Sequence, residues 1–424
     1  MSDLLFFAGG ECLTRHGTLV WRQSQAQDNA STFTRAQADA AAVPTYVGGS
    51  GRVVLTDANI PRVSWNDGTP SLLVEQAHVN LHQTDAVSSW TDNQTSGTTI
   101  ASSVSDPAGG TGAYRITGTA GSGGRGRYAG INSFTGDGVK SAVFVIKEHT
   151  MPTSGEQALG VYDVGASTFR LYLNITGWVA GKPTVTVDTG TYLGSRYIGN
   201  GFWAVYGKTA SVTAANAHRV YVYSNETDNS NSPAIEVYRV NVYNDAAPRY
   251  SLVSQSGDPA AETFYADFVA PPQAMTVYAK VMGDAGLDES ASESNGLVHI
   301  GSTGASTDPR VSLYAVSGTN FIFAHDNGTN ERTSTIASSA AVWGDTVELR
   351  GVVNANGSVL LGQSINAGTE TTGSTSATSV VNADAWAADR IYIGSRGSNN
   401  QGVAVVYAVK VARGVQTMAQ MRAL

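Results

Sequence analysis

The run Ile235-Glu236-Val237-Tyr238-Arg239-Val240-Asn241-Val242-Tyr243 alternates aliphatic positions with polar or aromatic ones at a period of two. That spacing puts successive side chains on opposite faces of an extended strand. Comparable runs fall at 140–147, 158–163, 168–174, 202–212 and 218–224. A second set falls at 264–269, 275–282, 297–301, 310–316, 320–325, 346–353, 358–365, 390–394 and 403–411. Turn signals separate them, among them Thr135-Gly136-Asp137-Gly138, Gly199-Asn200-Gly201 and Asn354-Ala355-Asn356-Gly357, where Gly and Asn accept the positive φ of tight hairpins. Sheets of this kind must bury one face against another sheet. The pattern predicts an all-β chain: two jelly-roll-type β-sandwiches after an irregular β-rich N-terminal segment. A short helix closes the chain, because Val415, Met418, Met421 and Leu424 recur at roughly helical spacing.

The length, 424 residues, exceeds what one hydrophobic core ordinarily organises. We expect an N-terminal docking or oligomerisation segment over 1–85, a first sandwich over 86–250 and a second over 251–424. The turn-rich stretch 244–259 reads as the linker, the alanine-rich 35–43 as a short helix, and the Thr/Ser/Gly-rich 367–379 as a surface loop. The two blocks share an order of strands. Ala142 to Lys147 parallels Met275 to Lys280, Phe202 to Gly207 parallels Thr346 to Gly351, and Tyr238 to Val242 parallels Tyr407 to Val411.

Charge excludes several partners. Charged residues are 14% of the chain and the net charge is −8, with no run of Lys and Arg. A general nucleic-acid binder or a protein of anionic membranes needs a basic face. No stretch approaches the roughly 18 apolar residues of a spanning helix, so no membrane insertion is expected. The single cysteine, Cys12, rules out an intrachain disulfide and a cysteine-based metal site. Asp3 stands where a secretion signal carries basic residues, and the apolar run after it is short. Synthesis in the cytoplasm without a signal peptide is the expectation.

Catalytic patterns are scarce. A jelly-roll glycoside hydrolase needs two carboxylates flanking a cleft, and no strand carries a Glu-x-Asp-x-x-Glu pattern. Asp284, Asp288, Glu289 and Glu293 cluster in a Gly/Ala/Ser-rich stretch that reads as a solvated loop. Calcium is the one metal to which the loop points, through Asp284, Asp288 and Glu289, since hard cations take several oxygen ligands; Asp326-Asn327-Gly328 is a second such stretch, read as a turn. His78 and His82 stand four apart in extended sequence, where they do not share the helix face a zinc pair needs. The glycine-rich Gly121 to Gly126 opens no helix and is not a phosphate loop. Aromatic side chains are the usual platforms for sugar rings. Trp178, Tyr192, Tyr197 and Trp386 sit in polar or turn-like surroundings and are the candidate glycan contacts, with Tyr314 also in the second block. Trp90, Trp203 and Trp343 read as core.

The order of pieces between Ser31 and Trp90 carries a resemblance. Ser31-Thr32-Phe33-Thr34-Arg35-Ala36 is followed by Pro44-Thr45-Tyr46-Val47 and Ala58-Asn59-Ile60-Pro61-Arg62. Then come Leu72-Leu73-Val74-Glu75-Gln76-Ala77, Asn80-Leu81 and Trp90. This resembles a segment of tailed-bacteriophage structural proteins, departing from it at His78-Val79-Asn80, where that family has Arg-Thr-Asn. The first block, through Trp90, Gly201-Phe202-Trp203 and the strand ending at Tyr243, resembles the carbohydrate-binding-module-like sandwich that follows the segment there. The second resembles a concanavalin A-like, laminin G-like jelly roll, through Met275 to Ala279, Val298 to Gly301, Glu348 to Val353, Arg390 to Ser395 and Val405 to Val411.

The resemblance implies a virion surface protein, a fibre, spike or decoration of head or tail. It would be non-enzymatic and commonly homotrimeric, held to other virion proteins through residues 1–85, and able to touch cell-surface glycans. The alternatives are a jelly-roll hydrolase or depolymerase and a purely structural cement protein.

Overall fold

The computed structural model describes residues 5–8, 11–14, 19–22, 31–34, 45–47, 53–55, 62–64, 71–74, 81, 87–93, 97–121, 123–227, 229–246, 263–267, 274–282, 295–301, 310–316, 320–326, 331–337, 344–375, 390–396, 400–401 and 404–423. The chain forms two compact units. One comprises Gln37–Thr56 and Ala77–Pro259, the other Met1–Ala36, Asp57–Gln76 and Ala260–Leu424.

The first unit is a sandwich of two six-stranded antiparallel sheets. One runs in the order Thr98–Val104, Ala113–Gly118, Ala234–Tyr243, Ser141–Thr150, Phe202–Lys208, Thr191–Gly199. The other runs Lys182–Thr189, Thr168–Val179, Gln157–Asp163, His218–Asn225, Arg125–Ile131, Thr91–Asp92. Alternation along the strands supplies the core: Ala142, Phe144 and Ile146 of the first sheet meet Leu159, Val161, Leu171, Leu173, Val220 and Val222 of the second. Trp90 closes the same core.

The second unit repeats the plan. Met275–Met282 lies between Ala404–Arg413 and Thr346–Val353, as Ser141–Thr150 lies between Ala234–Tyr243 and Phe202–Lys208. These are the strand pairs that the sequence parallels joined. The facing sheet runs Ser374–Thr375, Glu331–Ala337, Asn320–Asp326, Arg310–Val316, Asn295–Gly301, Arg390–Ile393, Thr263–Asp267, Ser31–Thr34. The N-terminal strand Leu5–Ala8 pairs antiparallel with Ala404–Arg413, with Leu5 opposite Val411 and Ala8 opposite Ala408. Ser71–Val74 pairs with the start of that same strand. The C-terminal helix is Met418–Ala423; Met418 and Met421 pack on Tyr278, Ala408 and Ala412. Val415, expected on the helix's buried stripe, precedes the helix and is 57% exposed.

The aligned glycines Gly207 and Gly351 share a physical reason. A Cβ on Gly207 would come within 2.9 Å of the Leu171 side chain across the sandwich, and one on Gly351 would fall into the ring of Phe323. Phe323 is fully buried, so its ring has no low-cost escape. Gly351→Ala should lower the unfolding free energy by about 2–3 kcal/mol, the cost of overpacking, read as a lower urea midpoint at unchanged slope.

Several strands differ from expectation. Lys182–Thr189, Thr191–Gly199, Arg125–Ile131 and Glu331–Ala337 are strands that the sequence pattern does not single out. The hairpin joining Val179 to Lys182 turns on Ala180 and Gly181, at φ 50° and 78°, and alanine seldom takes that conformation. The expected turn at Asn200-Gly201 is present, with both residues at positive φ. The expected loop 367–379 carries the short pairings Thr371–Thr372 and Ser374–Thr375 within its described part. The expected helix over 35–43 lies outside the described residues, as does most of the expected linker.

Candidate functional site: an aromatic sheet face

In the sheet centred on Gln157–Asp163 and His218–Asn225, the residues between the core positions point away from the sandwich interior. Val220 and Val222 are core, so Arg219, Tyr221 and Tyr223 share the outer face. Register carries the same face across four strands. Tyr221 stands opposite Tyr128 on one side and Gly160 on the other, Gly160 stands opposite Tyr172, and Tyr162 stands opposite Phe169.

The six rings form one contiguous patch. Tyr128 and Tyr221 have centroids 5.0 Å apart, Tyr221 and Tyr223 stack at 5.5 Å and 5°, and Phe169 lies 4.4 Å from Tyr172 and 4.9 Å from Tyr162. Small residues beneath make room. A Cβ on Gly160 would sit 2.7 Å from Phe169, and one on Gly126 would sit 2.7 Å from Tyr223. Tyr172 and Tyr221 are each 8% exposed, and the other four rings are half-buried.

Polar anchors fix the ring planes. The Arg219 guanidinium lies 4.5 Å from the Tyr128 ring centroid, a cation–π contact, and is hydrogen-bonded to the Tyr221 hydroxyl. Tyr223 is hydrogen-bonded to the Asn93 side chain, which also accepts from the Gly126 N–H at 2.8 Å. The Tyr172 hydroxyl meets the Glu226 carboxylate, and burial together with Glu226 pushes that phenol's pKa up. One end of the patch is acidic. Burial raises the Glu226 carboxyl above its ordinary range, and the neighbouring Asp188 and Glu156 charges add to the rise against the Tyr172 hydrogen bond. Asp188 is exposed and accepts from the Asn174 amide at 3.1 Å.

The sequence-predicted contacts lie elsewhere. Trp178 is on the strand Thr168–Val179, packs against the core, and donates its indole N–H to Gln157 at 3.2 Å. Tyr192 and Tyr197 are on the strand Thr191–Gly199, and Tyr192 packs against the same core. Tyr197 is 39% exposed and meets Trp203 edge-to-face at 5.5 Å. Trp203, read from sequence as core, is half-buried beside it with the Lys182 ammonium 5.7 Å from its ring. Tyr314 is buried at 6% exposure. Trp386, Trp343, Asp284, Asp288, Glu289, Glu293, His78 and His82 lie outside the described residues. Asp326 pairs with Arg310 at 3.0 Å. Among the described residues, no three or more His, Cys, Asp or Glu side chains are placed to hold a metal.

Sequence reasoning missed Tyr128, Tyr162, Phe169, Tyr172, Tyr221 and Tyr223. The signal was present in parity: Leu171-Tyr172-Leu173 and Tyr221-Val222-Tyr223 set aromatics on the face opposite the aliphatic core.

No protein-family model matches the chain, and no curated protein matches it. Among solved structures, the CBM40 of the Ruminococcus gnavus IT-sialidase bound to α2,3-sialyllactose is similar at 13% identity and a TM-score of 0.28, over 36% of this chain and 81% of that one. A second structure of that CBM40 gives 15% identity and a TM-score of 0.27, over 36% and 82%. The LG1-3 region of the laminin α2 chain gives 8% identity and a TM-score of 0.16, over 98% and 96%. Likenesses this slight carry nothing about a binding site.

Proposed function

We propose that the chain is a non-enzymatic glycan-binding protein displayed on the surface of a tailed-phage particle. The observation that carries the binding half is the aromatic face of Tyr128, Tyr162, Phe169, Tyr172, Tyr221 and Tyr223. Rings held in place by one another and, at Tyr172, Tyr221 and Tyr223, by hydroxyl partners offer flat apolar surface with polar edges. They lose little conformational freedom on binding. Display in many copies would turn weak single contacts into useful avidity. Tyr162→Ala removes a half-buried ring and should weaken binding about ten-fold, or about 1.4 kcal/mol, with the variant still folding cooperatively in urea. Glycan-array screening followed by calorimetric titration of wild type and variant reads this. A wild-type chain silent at high density would leave the purely structural reading.

The particle setting rests on the Ser31 to Trp90 resemblance. In this reading residues 1–85 dock onto other virion proteins, the chain assembles as a homotrimer, and calcium uptake falls to Asp284, Asp288 and Glu289. Immunogold microscopy of purified particles tests the setting; absence of label on intact and disrupted particles would overturn it. The hydrolase reading draws on the Glu226 carboxyl lying beside the Asp188 and Glu156 charges, since a glycoside hydrolase needs two carboxyl groups at its cleft. Release of reducing sugar that Glu226→Gln abolishes would establish it.

A further inference from the structure

The aromatic face has two unlike ends. At one, the cation Arg219 is already committed to the Tyr128 ring and the Tyr221 hydroxyl. At the other, the Glu226 N–H donates to the Glu156 carbonyl at 2.8 Å and Asp188 is held by the Asn174 amide at 3.1 Å; the Asp188 and Glu156 charges act on the Glu226 carboxyl, and Tyr172 feels both Glu226 and Asp188. A carboxylate or sulfate on a sugar laid along the rings would meet the Glu226, Asp188 and Glu156 charges at the second end. At the first end it would have to draw Arg219 off its partners. Like charges brought together in a partly desolvated site disfavour binding.

We propose that this face selects uncharged oligosaccharides, and that the Glu226, Asp188 and Glu156 rim discriminates against acidic ones. The inference rests on the glycan-binding reading and names its ligand class. Hydroxyl-rich neutral sugars suit the rim, because the Asp188 and Glu226 oxygens accept hydrogen bonds from hydroxyl groups.

The test compares ligand pairs that differ by one acidic group on an array, lactose with α2,3-sialyllactose and a neutral xylan with its glucuronic-acid-bearing form. Titration of the best-bound pair follows. The expected result is binding of the neutral member at least ten-fold tighter than the acidic one. Asp188→Asn keeps an acceptor for Asn174 and should narrow that ratio at least three-fold. Preference for the acidic member, or a ratio that neither Asp188→Asn nor Glu226→Gln moves, would overturn the rim while the glycan reading stood. Silence toward every ligand would overturn the glycan reading itself, and the rim with it.

Discussion

Asp163→Ala lowers the unfolding free energy of the first sandwich by about 3–5 kcal/mol, the usual cost of breaking a buried, hydrogen-bonded charge. Asp163 has no exposed side-chain surface and pairs with Arg170 at 3.0 Å. Its carboxylate also accepts from the Ala166 N–H at 3.0 Å and the Asn216 amide at 2.8 Å. Removing it strands all three donors, although Ala166 is exposed and Arg170 and Asn216 are partly open to water. Burial by itself would raise the Asp163 pKa; the Ala166, Asn216 and Arg170 donors and the nearby His218 outweigh it and hold the carboxyl below its ordinary value. The sign follows from linkage. A depressed carboxylate adds stability that is present above the unfolded pKa of about 3.9 and is lost as pH falls through the folded value. Wild type should therefore lose its advantage over Asp163→Ala in strong acid. Urea titrations of both proteins from pH 7 to pH 2 read this, and a gap that stays constant across that range would refute it.

Glu348→Ala costs the second sandwich about as much, about 3–5 kcal/mol. Glu348 is 4% exposed, and its two oxygens serve different elements. Oε1 accepts the Tyr278 hydroxyl at 2.6 Å, and Oε2 accepts Arg422 Nε at 2.9 Å from the C-terminal helix. That helix has six residues, too few to persist alone in water. It stays docked through Met418 and Met421, through Arg422 on Glu348, and through the Lys410 ammonium donating to the Met421 carbonyl at 2.9 Å. Burial pushes the Glu348 carboxyl up, but Arg422, Tyr278 and Lys280 together bring it below its ordinary value. This contribution too is present above about pH 4.3 and fades in acid. The variant should show a lower urea midpoint and faster proteolysis at Arg422. Glu348→Gln, which keeps an acceptor for Tyr278, should fall between it and wild type.

Which parts were legible depends on where burial lies. Central strands such as Ala234–Tyr243 and Met275–Met282 announce themselves because both faces are buried and β-branched residues recur. The edge strand Lys182–Thr189 is mostly exposed, so its Thr-Val alternation carries little contrast, and its turn rests on an alanine at positive φ. The equivalence of the two sandwiches was legible as three parallel segments, because each occupies a matching place in its sheet. The aromatic face was not, because it exists only after register places Tyr128, Tyr221, Gly160 and Tyr172 side by side. Parity alone says that Tyr221 and Tyr223 share a face; it does not say which strands lie beside them.

The pairing of Leu5–Ala8 with Ala404–Arg413 joins two strands separated by nearly 400 residues, the first and last of the described ones. During synthesis the first sandwich, most of it contiguous in sequence, has its partners at hand as soon as Tyr243 leaves the ribosome. The second can pair its opening strands Leu5–Ala8, Glu11–Thr14 and Leu19–Arg22 with one another at once, but must hold the free edge of Leu5–Ala8 open until Ala404–Arg413 has been made. Such long-range closure is slow, and an unpaired sheet edge invites other chains. Chaperone dependence and aggregation on interrupted translation should therefore fall on the second sandwich, while the aromatic face matures early.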